Sequence, residues 1–144
     1  MRSGLDFEKH QFLIRELVEL FKHKGYIINF ADGLDGFYPP NELPNHGYGD
    51  QEDKAPDVYA YDESEQRYII GEAKTGAGDL ETEHALTQYN VFLNHFHPKT
   101  KRPSLFYIIL PAKKVAEFNT LITHYIHPDL WNNLMVVQSK DWIE

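Results

Sequence analysis

The sequence contains no cysteine, which excludes disulfide bonds and thiolate metal sites. It also has no apolar run that approaches the roughly 18 residues of a membrane-spanning helix. Residues 1–11 lack the continuous apolar segment of a secretory signal. These absences predict a cytoplasmic protein with no membrane partner, in which any metal ion is bound by oxygen or imidazole ligands.

Basic residues are in the minority, with 14 Lys and Arg against 22 Asp and Glu. This balance disfavours a nucleic-acid partner, because phosphate binding depends largely on Lys and Arg. The charge is uneven, however, since residues 1–83 carry 18 acidic and 8 basic residues, whereas residues 84–144 carry 4 and 6. Two short basic groups in the second part either contact phosphates or lie on a solvated surface; their members are Lys99, Lys101, Arg102, Lys113 and Lys114.

The length of 144 residues and the apolar fraction of 42% predict a single domain, residues 1–144, with a packed core. Apolar periodicity and turn residues predict an α/β fold with a mixed central sheet flanked by helices. The predicted helices are 6–24, 80–96 and 115–126. The predicted strands are 26–30, which reads as buried, and 57–61, 67–74, 105–110 and 134–138. Residues 31–55 form a long irregular loop.

Three charged residues stand at the ends of the two hairpin strands: Asp57, Glu72 and Lys74. Side chains on a strand alternate between faces, so Glu72 and Lys74 share one face. A turn centred near Ser64 places Asp57 opposite Gly71 or Glu72. Two carboxylates this close repel each other unless a cation lies between them, and a divalent metal ion would supply that charge. The alternative is an ordinary hairpin with solvated charges, but the apolar run before Glu72 favours a buried site.

The pattern Pro56-Asp57, fourteen further residues, then Glu72-Ala73-Lys74 resembles the signature of the PD-(D/E)xK nuclease superfamily. The predicted order of elements also resembles that superfamily's restriction-endonuclease-like α-β-β-β-α-β core, over about residues 6–110. The resemblance implies a metal-dependent deoxyribonuclease, most naturally an endonuclease. It also implies that Asp57, Glu72 and the Ala73 carbonyl bind Mg²⁺ or Mn²⁺, while Lys74 positions or activates the attacking water.

Flanking residues are compared with two branches of the superfamily. RecB-like members carry a histidine on the first helix, and His10 occupies this place. On the next helix they carry a glutamine followed four residues later by an aromatic residue. Gln88 and Phe92 occupy these two places, with Phe92 where tyrosine is usual. Many other members carry a glutamate on the first helix, for which Glu16 is the candidate. The first-helix metal ligand is therefore either His10 or Glu16, and a resolvase-like branch would imply a homodimer.

Two functions follow as expectations. The first is a nuclease that hydrolyses DNA phosphodiester bonds. The second is a catalytically silent binding module of the same fold, acting as a subunit of a larger nucleic-acid-processing complex. The acidic composition favours the binding module, whereas the complete set of Asp57, Glu72 and Lys74 favours the enzyme. The chain is too short for a separate recognition domain, so substrate choice falls to the 31–55 loop, to a homodimer or to a partner protein.

Overall fold

A computed structural model of the chain describes residues 4–140. The fold is α/β, with a five-stranded mixed sheet flanked by helices, which confirms the predicted class. Within residues 4–140 no helix is both long and apolar enough to cross a membrane. The elements are α1 (Gly4–His23), β1 (Ile27–Ala31), β2 (Val58–Asp62), β3 (Arg67–Ala73), α2 (Glu83–Leu93), β4 (Leu105–Leu110), α3 (Val115–Tyr125) and β5 (Leu134–Gln138), with 3₁₀ turns at Ala112–Lys114 and Pro128–Asn133.

The strands lie in the order β1-β2-β3-β4-β5. The pairs β1/β2 and β2/β3 are antiparallel, whereas β3/β4 and β4/β5 are parallel. Parallel neighbours need crossover connections, and α2 and α3 supply them. The β2/β3 register pairs Val58 with Gly71, and Asp57, which precedes β2, also donates its N–H to Gly71 O (3.1 Å). Asp57 therefore lies beside both of its predicted partners, Gly71 and Glu72.

Each face of the sheet is covered by its own apolar layer. On one face α1 packs against β3 and β4; this layer includes Leu13, Leu17, Phe21, Val58, Ile69 and Ile109. On the other face α2 and α3 cover the sheet; this layer includes Ile70, Tyr89, Phe92, Phe106, Ile108 and Phe118. A Cβ atom at Gly71 would lie 2.7 Å from Leu17 Cδ2 and 3.1 Å from the Phe21 ring, so a glycine is needed for α1 to approach β3 this closely.

Two elements differ from their predicted form. The first strand was predicted to be buried, but β1 lies at the sheet edge and Ile27 is 46% exposed. The apolar pattern of a segment does not show whether its strand lies at the edge or in the centre of a sheet, because a helix can cover one face of either strand. The second helix begins at Glu83 instead of residue 80, because Thr82 Oγ1 accepts a hydrogen bond from Ala85 N (3.0 Å) and caps the helix there.

The long segment between β1 and β2 has no regular structure, as predicted, yet it is anchored at several points. Leu43 and Lys54 form an isolated antiparallel bridge that closes a subsidiary loop. Inside this loop, Asn45 Oδ1 accepts hydrogen bonds from Gly47 N (3.0 Å) and Tyr48 N (2.6 Å). An Asx turn of this kind fixes a loop locally. The segment therefore leads into β2 along a defined path.

Candidate active site

Asp57 and Glu72 form a buried acid pair at one end of the β2/β3 hairpin. Asp57 is 8% exposed and Glu72 4% exposed. The Asp57 N–H lies 3.1 Å from Gly71 O and 3.2 Å from Glu72 Oε1, so it donates to both the strand ladder and the glutamate. The predicted proximity of the two carboxyl groups is therefore present. The burial excludes the alternative of solvated surface charges.

Asp57 is held by donors from two directions. Its Oδ2 atom accepts a hydrogen bond from Ala73 N (2.9 Å) and lies 3.1 Å from His10 Nε2. Because a carboxylate can only accept, Nε2 is the protonated nitrogen of His10 in this contact. His10 points inward from α1 and is 9% exposed. Its Nε2 is used to orient Asp57, which leaves that nitrogen unavailable as a metal ligand in this arrangement.

Glu16, the rival of His10 on α1, lies away from the acid pair. Its Oε1 accepts a hydrogen bond from Ser139 Oγ (2.6 Å), and its Oε2 accepts one from Lys140 N (2.7 Å). Both partners follow β5, two strands away from β3. Six residues separate His10 from Glu16, which is about 9 Å along a helix. The geometry thus assigns Glu16 a structural role beside β5.

Lys74 and Gln88 complete a network around Glu72. The Lys74 Nζ atom donates to Gln88 Oε1 (2.5 Å) and lies 3.4 Å from Glu72 Oε2. Gln88 Nε2 donates to the same Glu72 oxygen at 3.1 Å. The position of Gln88 on α2 brings it over the end of β3, where the amide bridges the lysine and the acid. The structure therefore places all four predicted side chains, Asp57, Glu72, Lys74 and Gln88, in one connected site.

The protonation of Glu72 reflects two opposed influences. Burial is the largest cause and, with the nearby charge of Asp57, raises the pKa of Glu72 well above its ordinary value. The Lys74 ammonium acts in the opposite direction but does not cancel the rise. Such a raised pKa means that the protein without a cation holds the acid pair at a cost in free energy. A further positive charge between the two carboxylates would reduce that cost.

The oxygen atoms at this end of the hairpin suit a hard divalent cation. Among residues 4–140, no three His, Asp or Glu side chains are arranged as a metal site. Two carboxylates nevertheless lie here, beside the main-chain carbonyl of Ala73. Lys74 N donates to Ile109 O on β4, whereas Ala73 N donates to Asp57, so the Ala73 carbonyl faces the Asp57 side of β3. Mg²⁺ accepts such oxygen donors and keeps several waters, so this donor set fits it.

One predicted basic group lies at the acid-pair end of the sheet. Lys113 and Lys114 follow β4, whose Ile109 pairs with Ala73. The side chain of Lys114 covers Gly76, where its Cγ would be 2.5 Å from an added Cβ. Burial, followed by the charge of Lys113, lowers the pKa of Lys9 in α1. Lys113 and Lys114 therefore lie near the first turns of α1, at the acid-pair end of the sheet.

The other predicted basic group lies at the opposite end of β3. Arg102 donates to Glu65 O (2.8 Å) and contacts the Glu65 carboxylate at 3.2 Å, and Thr100 Oγ1 donates to Gln66 O (3.0 Å). These contacts attach the loop with Lys99 and Lys101 to the hairpin turn. Seven strand residues of about 3.3 Å each separate that turn from the acid pair, roughly 20 Å in all. The two basic groups do not form one continuous patch.

Three residues beside the site were missed by the sequence analysis. The Tyr89 ring lies under Lys74, with Nζ 6.0 Å from its centroid. Lys54 and His84 form a second polar contact near α2, with Lys54 Nζ 2.8 Å from His84 Nδ1. His84 stands four residues before Gln88, and this helical spacing was the available signal for a shared face. Lys54 carried no such signal, because it belongs to an aperiodic loop.

Comparison of the chain with protein-family models, with curated proteins and with solved structures gives no match. The chemistry of the site is therefore inferred from its own side chains.

Proposed function

We propose that this protein is a metal-dependent nuclease of the PD-(D/E)xK type that hydrolyses phosphodiester bonds in DNA. The observation that carries the proposal is the buried contact of Asp57 with Glu72, with Lys74 Nζ 3.4 Å from the same glutamate. The α-β-β-β-α-β element order supports a restriction-endonuclease-like core. A buried acid pair with a raised pKa is typical of a functional site, because a purely structural role is served better by apolar residues.

Asp57, Glu72 and the Ala73 carbonyl would hold Mg²⁺ or Mn²⁺. When bound, the ion would neutralise charge on the phosphate and lower the pKa of a water molecule. The chain itself prepares this position: His10 and the Ala73 N–H fix Asp57, and Gln88 fixes Glu72. Each acid therefore keeps its orientation without adopting a new rotamer on binding, which favours affinity.

Lys74 acts on the reacting water or on the phosphate. Its ammonium has three N–H donors; one is directed to Gln88 Oε1, and Glu72 Oε2 lies at 3.4 Å from Nζ. A third donor is thus available to orient the attacking water or to stabilise charge on a phosphate oxygen. Gln88 is a positioning residue, since it holds both Lys74 and Glu72. Such preorganised charge is a large part of catalysis in phosphoryl chemistry.

A second candidate function is a nuclease-fold binding module without turnover, within a larger nucleic-acid-processing complex. The acidic net charge of -8 favours it, because isolated affinity for DNA falls as negative charge on the protein increases. A homodimer or a basic partner would then supply the missing phosphate contacts. The intact lysine beside the acid pair favours the enzyme.

The test is a cleavage assay with labelled single-stranded, duplex, flapped and four-way DNA, and a single-stranded RNA, each with Mg²⁺, Mn²⁺ or EDTA. We expect cleavage of at least one DNA with metal, no cleavage in EDTA, and loss of activity in Asp57→Asn. The matched control is Asp35→Asn, a change at an exposed loop residue. DNA binding without cleavage under every condition would support the binding module, and cleavage that persists in EDTA would overturn the metal-dependent mechanism.

A further inference from the structure

A second polar cluster lies beside the acid pair and takes no part in the mechanism above. Its centre is Lys54, whose side chain is only 2% exposed. Lys54 Nζ lies 2.7 Å from Asp50 Oδ2, 2.8 Å from His84 Nδ1 and 3.5 Å from Glu52 Oε1. A buried ammonium held by three acceptors keeps a fixed position. The cluster therefore joins the 31–55 loop firmly to the first turn of α2.

The cluster is anchored next to the candidate active site. His84 lies one helical turn before Gln88, so both side chains project from the same side of α2. The loop is pressed against the helix at Thr87, whose Oγ1 accepts from Asp50 N (3.1 Å) and whose side chain fills the place of a Cβ at Gly49. Lys54 precedes Asp57 by three residues. His84 thus stands at the rim of the site that Gln88 and Asp57 line.

The contact with Lys54 determines which nitrogen of His84 carries the proton. A lysine ammonium can only donate, so His84 Nδ1 must be the acceptor, and the neutral ring then carries its hydrogen on Nε2. Partial burial of the Nδ1 side, with the charge of Lys54 next, lowers the pKa of His84, which keeps the ring neutral. The residue as a whole is exposed, and within residues 4–140 its Nε2 atom has no hydrogen-bond partner. The chain therefore presents an N–H donor to solvent with its orientation fixed from behind.

We propose that His84 Nε2–H binds a phosphate oxygen of the nucleic-acid backbone at the entrance to the site, a proposal that rests on the proposed nuclease function. Lys54 acts through His84 as a positioning residue. Lys54 offsets one of the two negative charges of Asp50 and Glu52, and the neutral imidazole supplies its N–H without adding a charge. The donor is present at neutral pH, because the contact with Lys54 keeps the proton on Nε2. His84 would fix the register of the substrate relative to Asp57 and Lys74.

The first test is nuclear magnetic resonance of protein labelled with ¹⁵N-histidine, with a short duplex oligodeoxynucleotide as the probe in EDTA, so that no cleavage occurs. In the free protein we expect His84 to carry its proton on Nε2. Addition of the probe should shift the His84 Nε2 resonance and leave that of His124, an exposed histidine of α3, unchanged. A proton on Nδ1 in the free protein, or an unshifted His84 when the probe binds elsewhere on the protein, would overturn the proposal.

The second test is kinetic. His84→Ala, which has no side-chain donor, should raise KM about tenfold, the effect of one lost hydrogen bond, and change kcat much less. The matched control, His124→Ala, should leave both constants unchanged, and thermal melts should show that both variants are folded. An unchanged KM in His84→Ala would overturn the inference while leaving the nuclease function intact. If no substrate is cleaved but the probe still shifts His84, the phosphate position stands and the nuclease function fails; if neither occurs, both fail.

Discussion

The acid pair leads to an unusual prediction. Without metal, the protein should become more stable when the charge of one candidate ligand is removed. Asp57→Asn is nearly isosteric. An asparagine oxygen in place of Oδ2 can still accept from Ala73 N and His10 Nε2. The substitution removes one of the two negative charges and so removes a cause of the raised pKa of Glu72. Its effect on stability should therefore report the repulsion between the acids.

The expected size follows from the geometry. The carboxyl groups of Asp57 and Glu72 lie on neighbouring strands, where side chains are about 5 Å apart, and two charges at that distance repel by ~3 kcal/mol at an effective dielectric constant of 20. Lys74, at 3.4 Å from Glu72, offsets part of this repulsion, so we expect a gain of roughly 1–2 kcal/mol. For a domain of this size that corresponds to about 2–8 °C in Tm.

The pH dependence has a defined sign. Because the folded pKa of Glu72 is raised, the folded state binds more protons than the unfolded state above the ordinary carboxyl pKa of about 4.3. The stability of the wild type without metal should therefore fall as pH rises from that value through the raised folded pKa. In Asp57→Asn this slope should be smaller, and the advantage of the variant should be greatest where Glu72 is ionised in the wild type.

Thermal melts in EDTA and across a Mn²⁺ series, at constant pH, provide the measurement. At a hundredfold excess over Kd, Mn²⁺ should stabilise the wild type by about 2.7 kcal/mol and the variant far less. The difference in stability between the two proteins should therefore narrow or change sign. Asp35→Asn, which changes an exposed charge, is the matched control and should follow the wild type. If the wild type is the more stable protein in EDTA and does not respond to Mn²⁺, the two acids are not a shared metal site.

Three further predictions test Lys74, a buried histidine outside the site, and the two basic groups. Lys74→Ala should abolish cleavage but retain Mn²⁺ binding by calorimetry, because the lysine is not a ligand; activity within tenfold of the wild type would contradict its role. The pKa of His95 is lowered mainly by burial and then by the charge of His46. Its contribution to stability is therefore present above pH ~6.5 and is lost as pH falls through the lower folded pKa. Denaturant titrations from pH 7 to 5 should show a smaller loss of stability in His95→Gln than in the wild type, and an equal loss would refute this. Charge reversal at both Lys113 and Lys114 should weaken DNA binding and reduce its salt dependence, whereas reversal of the basic residues in 99–102 should change neither; the opposite result in a salt titration would place the DNA at the other end of the sheet.

The acid pair itself could be predicted because its position depends on local rules. The polar turn after β2 fixes the hairpin register, and alternation along β3 then fixes which residues meet. The strands at 105–110 and 134–138 were also predicted with their observed bounds, since each is a short apolar run between turn residues. In each case the signal lies within a few residues of the structure that it determines.

Features that depend on distant packing could not be predicted in this way. His10 and Glu16 both lie on α1, and only the placement of that helix against the sheet decides that His10 contacts Asp57. The separation of the two basic groups depends on which end of the sheet each loop occupies, which the sequence does not record. The burial of Lys54 against His84 joins an aperiodic loop to a helix 30 residues later, with no local signature.

The glycine at position 71 makes the site vulnerable from a place that carries no chemistry. It lies one residue from Glu72 on β3, and its missing side chain allows Leu17 and Phe21 of α1 to approach the strand. The same helix carries His10 to Asp57. A larger residue at position 71 must displace Leu17 or Phe21, and wherever α1 moves with them the contact between His10 and Asp57 lengthens, although neither residue has changed. Loss of function at position 71 would thus resemble the loss of a site residue, while its cause would be mechanical.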